Sequence, residues 1–424
     1  MTIPAADTGR RPDRVVRASV IDWRDRAAED PRHDERTAAL LGLALGVCFT
    51  TCFLTGLYSH LAQHPTSWFH LPARPAGLYR VTQGLHVLTG IATIPLLLAK
   101  LWSVFPKLLQ WPPVTSVAHL LERISLVPLV AGALFQLWTG LADIDLWYPL
   151  PSFFPTVHYW TAWITMGALV VHVGAKVTTT RAALARGGGA HAVVADQPPP
   201  PAAHVPTVIG AEVAAPESET PSADADPTAR RRFLTAAAAT SGLLVLTVAG
   251  QTIAPLRRLA LLAPRHPDTG VQGFPVNKSA GSAGVRHTAT SPAYRLEVVG
   301  RVSRPLSLTV DQIRALPQRS ATLPIACVEG WSASRRWTGV SLHDLLLRAG
   351  ASAGAAVTVH SLEPHGLYAQ ADVDAAQTAD PDTLLALQVD GQPLALDHGY
   401  PIRLIGPDRP GVMQTKWVTR IVVR

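Results

Sequence analysis

The chain has 424 residues, of which 48% are hydrophobic and only 16% charged, with a formal net charge of +7. That balance excludes a disordered scaffold and argues against a wholly soluble enzyme, and three cysteines are too few for a disulfide framework. The basic excess does not point to nucleic acid, because the lysines and arginines flank apolar runs, as membrane orientation requires.

In chain order, five stretches are long enough to span a bilayer, which takes about 20 apolar residues. They fall between Arg36 and His60, between Arg80 and Lys100, between Arg123 and Asp143, within residues 146–175, and over residues 233–256. Arg32, Arg36, Lys107, Arg123, Lys176, Arg181, Arg186 and Arg230 to Arg232 share one side if the N-terminus is cytoplasmic. The rule that positive loops stay inside then sets the orientation: a multi-pass protein of the cytoplasmic membrane, everything after Leu256 outside. Trp68, Trp147, Tyr148 and Trp160 suit an interfacial aromatic belt on the outer side.

Residues 1–36 read as a charged cytoplasmic tail, and 37–180 as a four-helix membrane domain. The stretch 187–229, with its glycine run, Pro198 to Pro201 and a Glu/Ser/Asp-rich end, cannot bury a core and is expected to be a disordered cytoplasmic linker. It leads into Ala229-Arg-Arg-Arg-Phe-Leu-Thr235, which resembles a twin-arginine export signal built on Arg230 and Arg231 and opening the fifth span, 230–256. The plainer alternative is an arginine flank of an ordinary spanning helix.

Ionisable residues at membrane depth are functional hypotheses by default. His158 and His172 are fourteen residues apart on the fourth span, hence about 21 Å apart in depth and within about 40° of one face. Each could meet a histidine of a facing helix: His86 on the second span for His158, and His119 at the start of the third for His172. Two imidazoles at equal depth in apolar surroundings are what a bis-histidine haem needs. A lone histidine bonded to a carbonyl is the competing reading. His60, His64 and His70 fall in a loop beside solvent or a quinone pocket, and Cys48 and Cys52 are assigned no function.

Gln83-Gly-Leu-His86-Val-Leu-Thr-Gly90, Ala118-His119-Leu-Leu-Glu122-Arg123 and His158-Tyr-Trp-Thr-Ala-Trp163 with His172 resemble the four-helix b-type cytochromes of membrane oxidoreductases. The resemblance implies that His86, His158, His119 and His172 ligate one or two haems b.

From residue 270 the texture is that of a mixed α+β domain, 270–424. Strands are expected at 294–300, 356–360 and 417–423, and helices from Thr309 and over 341–349. Its single cysteine, Cys327, could be buried filler, a nucleophile, half of an intermolecular disulfide or a soft metal ligand.

Cys327-Val-Glu-Gly-Trp331 with Trp337-Thr-Gly-Val, then Leu396-Asp-His-Gly-Tyr-Pro-Ile-Arg403-Leu and Gln414-Thr-Lys416-Trp-Val, resemble the molybdopterin-binding domain of the sulfite oxidase family. The resemblance implies that Cys327 ligates molybdenum and that His398, Arg403 and Lys416 contact the pterin phosphate end. Thr415 falls in a stretch whose backbone amides could add donors, and Asn277 and Lys278 approach the cofactor early in the domain. Trp331, Arg335 and Arg336 are candidate substrate contacts. The Arg-Asn-His segment of true sulfite oxidases is not evident near Asn277, which leaves sulfite itself in question as the substrate.

The expectation is therefore a helical membrane bundle, four haem-binding helices plus a fifth spanning helix, joined to a sulfite oxidase-type mixed-sheet domain. It would exchange an oxygen atom and two electrons with a small oxyanion or sulfoxide, and pass electrons through haem b to or from quinone, with or without an electron-transfer subunit. The alternative is a non-enzymatic haem membrane sensor or electron-transfer protein with a degenerate outer domain.

Overall fold

A computed structural model describes residues 30–66, 68–108, 117–147, 154–185, 227–366 and 368–424. The tail at 1–29, the linker at 187–226 and Tyr148 lie outside them.

Five long helices follow the apolar runs: α1 (Glu35–Gln63), α2 (Leu78–Leu108), α3 (Val117–Ile144), α4 (Phe154–Ala185) and α5 (Pro227–Ala249). In lipid no water can satisfy backbone amides and carbonyls, so an apolar run of this length closes its hydrogen bonds within itself as helix. Large apolar side chains face outward along them, with Val47 61%, Val127 68% and Val170 67% exposed. Only a lipid or protein cover suits such faces. Four of the described helices, α1, α2, α3 and α5, are long and apolar enough to cross a membrane. α4 is just as long, but its tryptophans, threonines and histidines lower its apolar character, so composition marks four spans where five were expected.

Two other expectations shift. α1 runs on to Gln63, so His60 is helical rather than in a loop, stacked on Tyr159 with ring centroids 3.7 Å apart. α5 stops at Ala249, short of Leu256. There the chain doubles back through Gly250, where a Cβ would lie 2.3 Å from the Leu256 carbonyl oxygen, into a 3-10 turn at Ala254–Leu259.

Two compact units divide the chain, cutting across the long helices. One takes residues 1–45, 95–125 and 170–239. In it Lys100 donates to the Ala38 carbonyl, and Arg230, of the arginine pair, bonds Asp34 at 3.1 Å. The other takes 46–94, 126–169 and 240–424, including all the strands.

One sheet of that second unit has the order β2 (Leu306–Leu308), β1 (Leu296–Gly300), β10 (Val418–Val423), β5 (Val357–Ser361), β6 (Gln370–Val373), with β1 and β10 parallel and the other pairs antiparallel. The second sheet runs β3 (Arg319–Ala326), β4 (Ser332–Ser341), β7 (Leu384–Val389), β8 (Gln392–Pro393), with β9 (Arg403–Ile405) also on β7. Leu296, Val298, Val359, Leu385, Leu404 and Ile421 build one core, joined by Leu342, Leu345 and Leu346 of a short helix, Leu342–Arg348. A second core forms around Phe274, Leu323, Trp337, Leu384 and Ile405 and reaches Cys327 and Trp331. Burial of such side chains is worth about 1.5–3 kcal/mol each. The strands are thus fixed rails, and the connections at their ends carry the polar groups.

Candidate active site

β3 ends at Ala326 and β4 begins at Ser332, so Cys327 opens the connection between two hydrogen-bonded neighbours. The Cys327 N–H donates to the Trp331 carbonyl at 2.9 Å and the Gly330 N–H to the Cys327 carbonyl at 3.1 Å. That tight turn needs Gly330 at a φ of +92°, a region open to glycine at little cost. Cys327 is 2% exposed, and Asn277 Nδ2 donates to its sulfur at 2.7 Å.

A cavity opens beside this sulfur. Asn277, Lys278, Cys327, Trp331, Arg403, Thr415 and Lys416 line it together, from four separate stretches of chain. Ser361, Glu363, Tyr368, Gln414 and Trp417 join them. Gln414 and Trp417 belong to the motif around Lys416, whereas sequence reading passed over Ser361, Glu363 and Tyr368, because isolated polar residues outside a motif carry no signal of their own. An isolated bridge between Ala326 and Pro410 draws the segment after β9 against the cysteine turn. Lys278 Nζ is paired with Glu363.

The site holds buried donor and acceptor atoms that have no partner among the described residues. Arg403 Nε, Thr415 Oγ1 and Gln414 Oε1 are buried with no hydrogen-bond partner among the described residues. Such groups each cost free energy, so their clustering around one cavity marks a place built for a polar ligand. Burial pulls the Arg403 guanidinium down to about 9. Burial, with Arg403 as a second cause, brings Lys416 down to about 7. Lys416 Nζ donates to the carbonyls of Lys278 and Asp397 at 2.8 and 2.7 Å, which leaves its third hydrogen available. Burial and the Glu329 carboxylate push the Cys327 thiol up, while the Asn277 amide opposes them. The lining therefore fits molybdopterin: a soft sulfur for the metal and, on the same cavity, two cations for a phosphate.

The depressed Lys416 value has a readable sign. Between about 7 and the ordinary lysine value of about 10.4 the unfolded chain binds the extra proton, so stability of the cofactor-free protein rises with pH across that window. Anion affinity moves the other way. Protection by pyrophosphate against thermal unfolding is expected to be greater at pH 6 than at pH 8, and Lys416→Gln should flatten the difference.

His398 and the arginine pair lie elsewhere. His398 is fully buried and stacked on Phe274 with centroids 3.7 Å apart. Burial and Arg403 hold it down at about 3, so the neutral ring donates from Nε2 to the Val271 carbonyl at 2.7 Å. It reaches the cavity through its own carbonyl, which accepts from Arg403 at 3.2 Å. Arg335 and Arg336 are on β4 and do not line the cavity. Arg335 turns to the Gly273 carbonyl and the Phe274 ring, while Arg336 is exposed and bonds Asp390 through its backbone. The expectation placed both beside the substrate, whereas β4 carries them away from the residues that line the cavity.

Among the helices, His86 and His158 face each other with ring centroids 6.4 Å apart and planes at 71°. That separation admits one metal atom about 2.0–2.1 Å from a nitrogen of each ring. Each Nδ1 is already engaged, His86 with the Cys52 carbonyl at 2.8 Å and His158 with Thr139 Oγ1 at 2.7 Å. That leaves Nε2 as the nitrogen through which each ring could ligate a metal, and a bond at the other nitrogen is what orients metal-ligating histidines. His172 is half-buried on α4, and His119 stands in the first turn of α3 with its side chain outside the described residues.

Residues 283–424 match the family model of the oxidoreductase molybdopterin binding domain. The chain is 34% identical over 163 residues to a protein of Azospira oryzae named as a protein-methionine-sulfoxide reductase subunit, YedZ1, covering 38% of this chain and 61% of that one. It is 34% identical over 155 residues to the mitochondrial sulfite oxidase of Drosophila melanogaster, 31% of this chain and 27% of that one. Against the uncharacterized oxidoreductase YuiH of Bacillus subtilis it is 32% identical over 145 residues, 32% of this chain and 71% of that one. The chain thus spans less than two thirds of the length of the first two relatives.

Proposed function

The chain belongs to the family of oxidoreductases with a sulfite oxidase-type molybdopterin-binding domain, and from that premise we propose a membrane-bound enzyme for two-electron oxygen-atom exchange with a small sulfoxide or oxyanion. The observation that carries it is the Cys327 sulfur on a cavity that is also lined by the buried cations Arg403 and Lys416 and by polar atoms of Arg403, Gln414 and Thr415 that have no partner among the described residues. When bound there, molybdopterin supplies the oxygen-atom and electron-pair chemistry that no protein side chain offers. Cys327 is the metal ligand, and Asn277 orients its sulfur. Arg403 and Lys416 hold the phosphate end, Thr415 and Gln414 supply further hydrogen bonds, and Lys278 is available if it leaves Glu363. Trp331 and Tyr368 close the cavity to water and touch the substrate side. His398 is a positioning residue for Arg403.

The domain division we propose is a cytoplasmic tail (1–36), a haem-binding bundle (37–180), a cytoplasmic linker (187–229), a span from 230 and the enzyme domain (270–424) outside the cytoplasmic membrane. Arg230 and Arg231 open the span as an export signal. α4 crosses with the others, because Trp160, Ile164, Val170 and Val171 leave an apolar face exposed. His86 and His158 hold one haem b, and His119 and His172 the second. Single electrons pass through them to or from quinone.

Purified protein should contain molybdenum and b-type haem. Dithionite-reduced membranes mixed with methionine sulfoxide, dimethyl sulfoxide or nitrate should show haem reoxidation with the true substrate, and sulfite should reduce oxidised haem if the enzyme runs the other way. Absence of molybdenum would overturn the reading. His158→Ala is expected to remove the haem it shares with His86, read as loss of b-type absorbance per chain while molybdenum content stays. Unchanged absorbance in that variant would exclude the pair as ligands.

A further inference from the structure

The turn that carries Cys327 is held from outside its own sheet. Gln83 of α2 is 5% exposed, and its Nε2 donates to the Val328 carbonyl at 2.5 Å. Just beyond α5, Thr252 Oγ1 donates to the Gly330 carbonyl and the Gln251 carbonyl accepts from the Ser332 N–H at 2.9 Å. Gly330 lies so close that a Cβ would meet Gln251 at 2.8 Å and Val87 at 2.9 Å. Gln83 also stands three residues before His86, just under one helical turn or about 4.5 Å along the axis. A single hydrogen bond and a single turn therefore join Val328, the neighbour of Cys327, to His86.

We propose that Gln83 is a positioning residue that locks the Cys327 turn to the helical turn of His86, so that the two redox sites of this chain exchange electrons directly with no separate protein between them. Each exchange oxidises one centre by one electron and reduces the other by one, and two match one oxygen-atom step. The identity of the centres rests on the proposed function, whereas the lock does not. A second set of bonds ties the same domain to the helix ends: Asp408 accepts from the Tyr58 hydroxyl at 3.0 Å and from the Tyr79 N–H, and Tyr368 donates to Gln63 at 3.1 Å. These bonds add to the hold that Gln83 has on the domain.

The test uses the full chain with Gln83→Leu, which keeps bulk and removes the donor. Without cofactors, amide hydrogen exchange at residues 328–332 is expected to quicken by up to about tenfold, the equivalent of one lost hydrogen bond. Exchange in β10 should not change. In the loaded protein, haem reduction or reoxidation by substrate should slow several-fold while haem content and absorption maxima stay as in the wild type. Unchanged exchange overturns the lock, and quicker exchange with an unchanged haem response overturns the electron route. If Gln83→Leu does not fold, Gln83→Met applies the same criteria. Wild-type protein lacking haem would instead overturn the proposed function, and the exchange measurement would still decide the lock.

Discussion

Cys327→Ser is expected to lower turnover by more than about 100-fold, beyond the 10–100-fold range typical when only a group behind the ligands is lost. A serine hydroxyl keeps the size and some of the hydrogen bonding with Asn277, so the fold should survive. What it lacks is the polarisable sulfur that a transition metal prefers. Turnover and molybdenum per chain measured together decide the matter, with b-type absorbance as the control for folding and membrane insertion. Activity within a few-fold of the wild type would show that the sulfur is buried filler.

Arg403→Met should act with opposite signs on the empty and loaded protein. Arg403 is 3% exposed, has one hydrogen bond to the His398 carbonyl, lies over Trp337 at 5.7 Å and leaves Nε unpartnered. Among the described residues no carboxylate is paired with it, and Cys327 opposes the effect of burial. The lost hydrogen bond and ring contact are worth about 1–3 kcal/mol together, whereas an uncompensated buried ion costs several. Methionine fills the same space without charge. The melting temperature of cofactor-free protein is therefore expected to rise, and cofactor retention to fall by at least about 30-fold, the loss of some 2 kcal/mol of charge-assisted binding. A variant that destabilises the empty protein would make Arg403 a structural residue rather than a ligand for the phosphate end.

Local signals were the legible part of the fold. The stretch from Thr309 reads as a helix start because the Thr309 side chain and Gln312 cap one another across the first turn of Val310–Arg314. Alternation at 294–300 marks β1, where Leu296 and Val298 are buried and Glu297 is not. β7 carried no such mark: it is buried nearly throughout, so its Leu384–Val389 run has no polar face to set a period. The end of α5 was misjudged because apolar residues continue past Gly250, and only the close approach of Leu256 shows why the helix cannot. At the site, Asn277 and Cys327 are fifty residues apart and no spacing rule joins them; resemblance to a family put them together in the reading. Gln83 opens the motif around His86, but nothing in that motif points to its partner. Its partner is a backbone carbonyl, Val328, and a carbonyl is present at every position, so nothing in composition or periodicity could single it out.

β10 pairs in parallel with β1 and lies in the middle of its sheet, although β1 opens the domain and β10 follows every other strand. Thr415 and Lys416 precede it with only Trp417 between, and the Leu404 N–H donates to the Thr415 carbonyl at 2.9 Å. Contacts this remote along the polymer form late and slowly. Under the proposed function, the Lys416 side of the cavity is completed only when that sheet closes, so a chain stalled before this stage is expected to have Cys327 at the end of β3 and Arg403 on β9 but no Lys416 beside them.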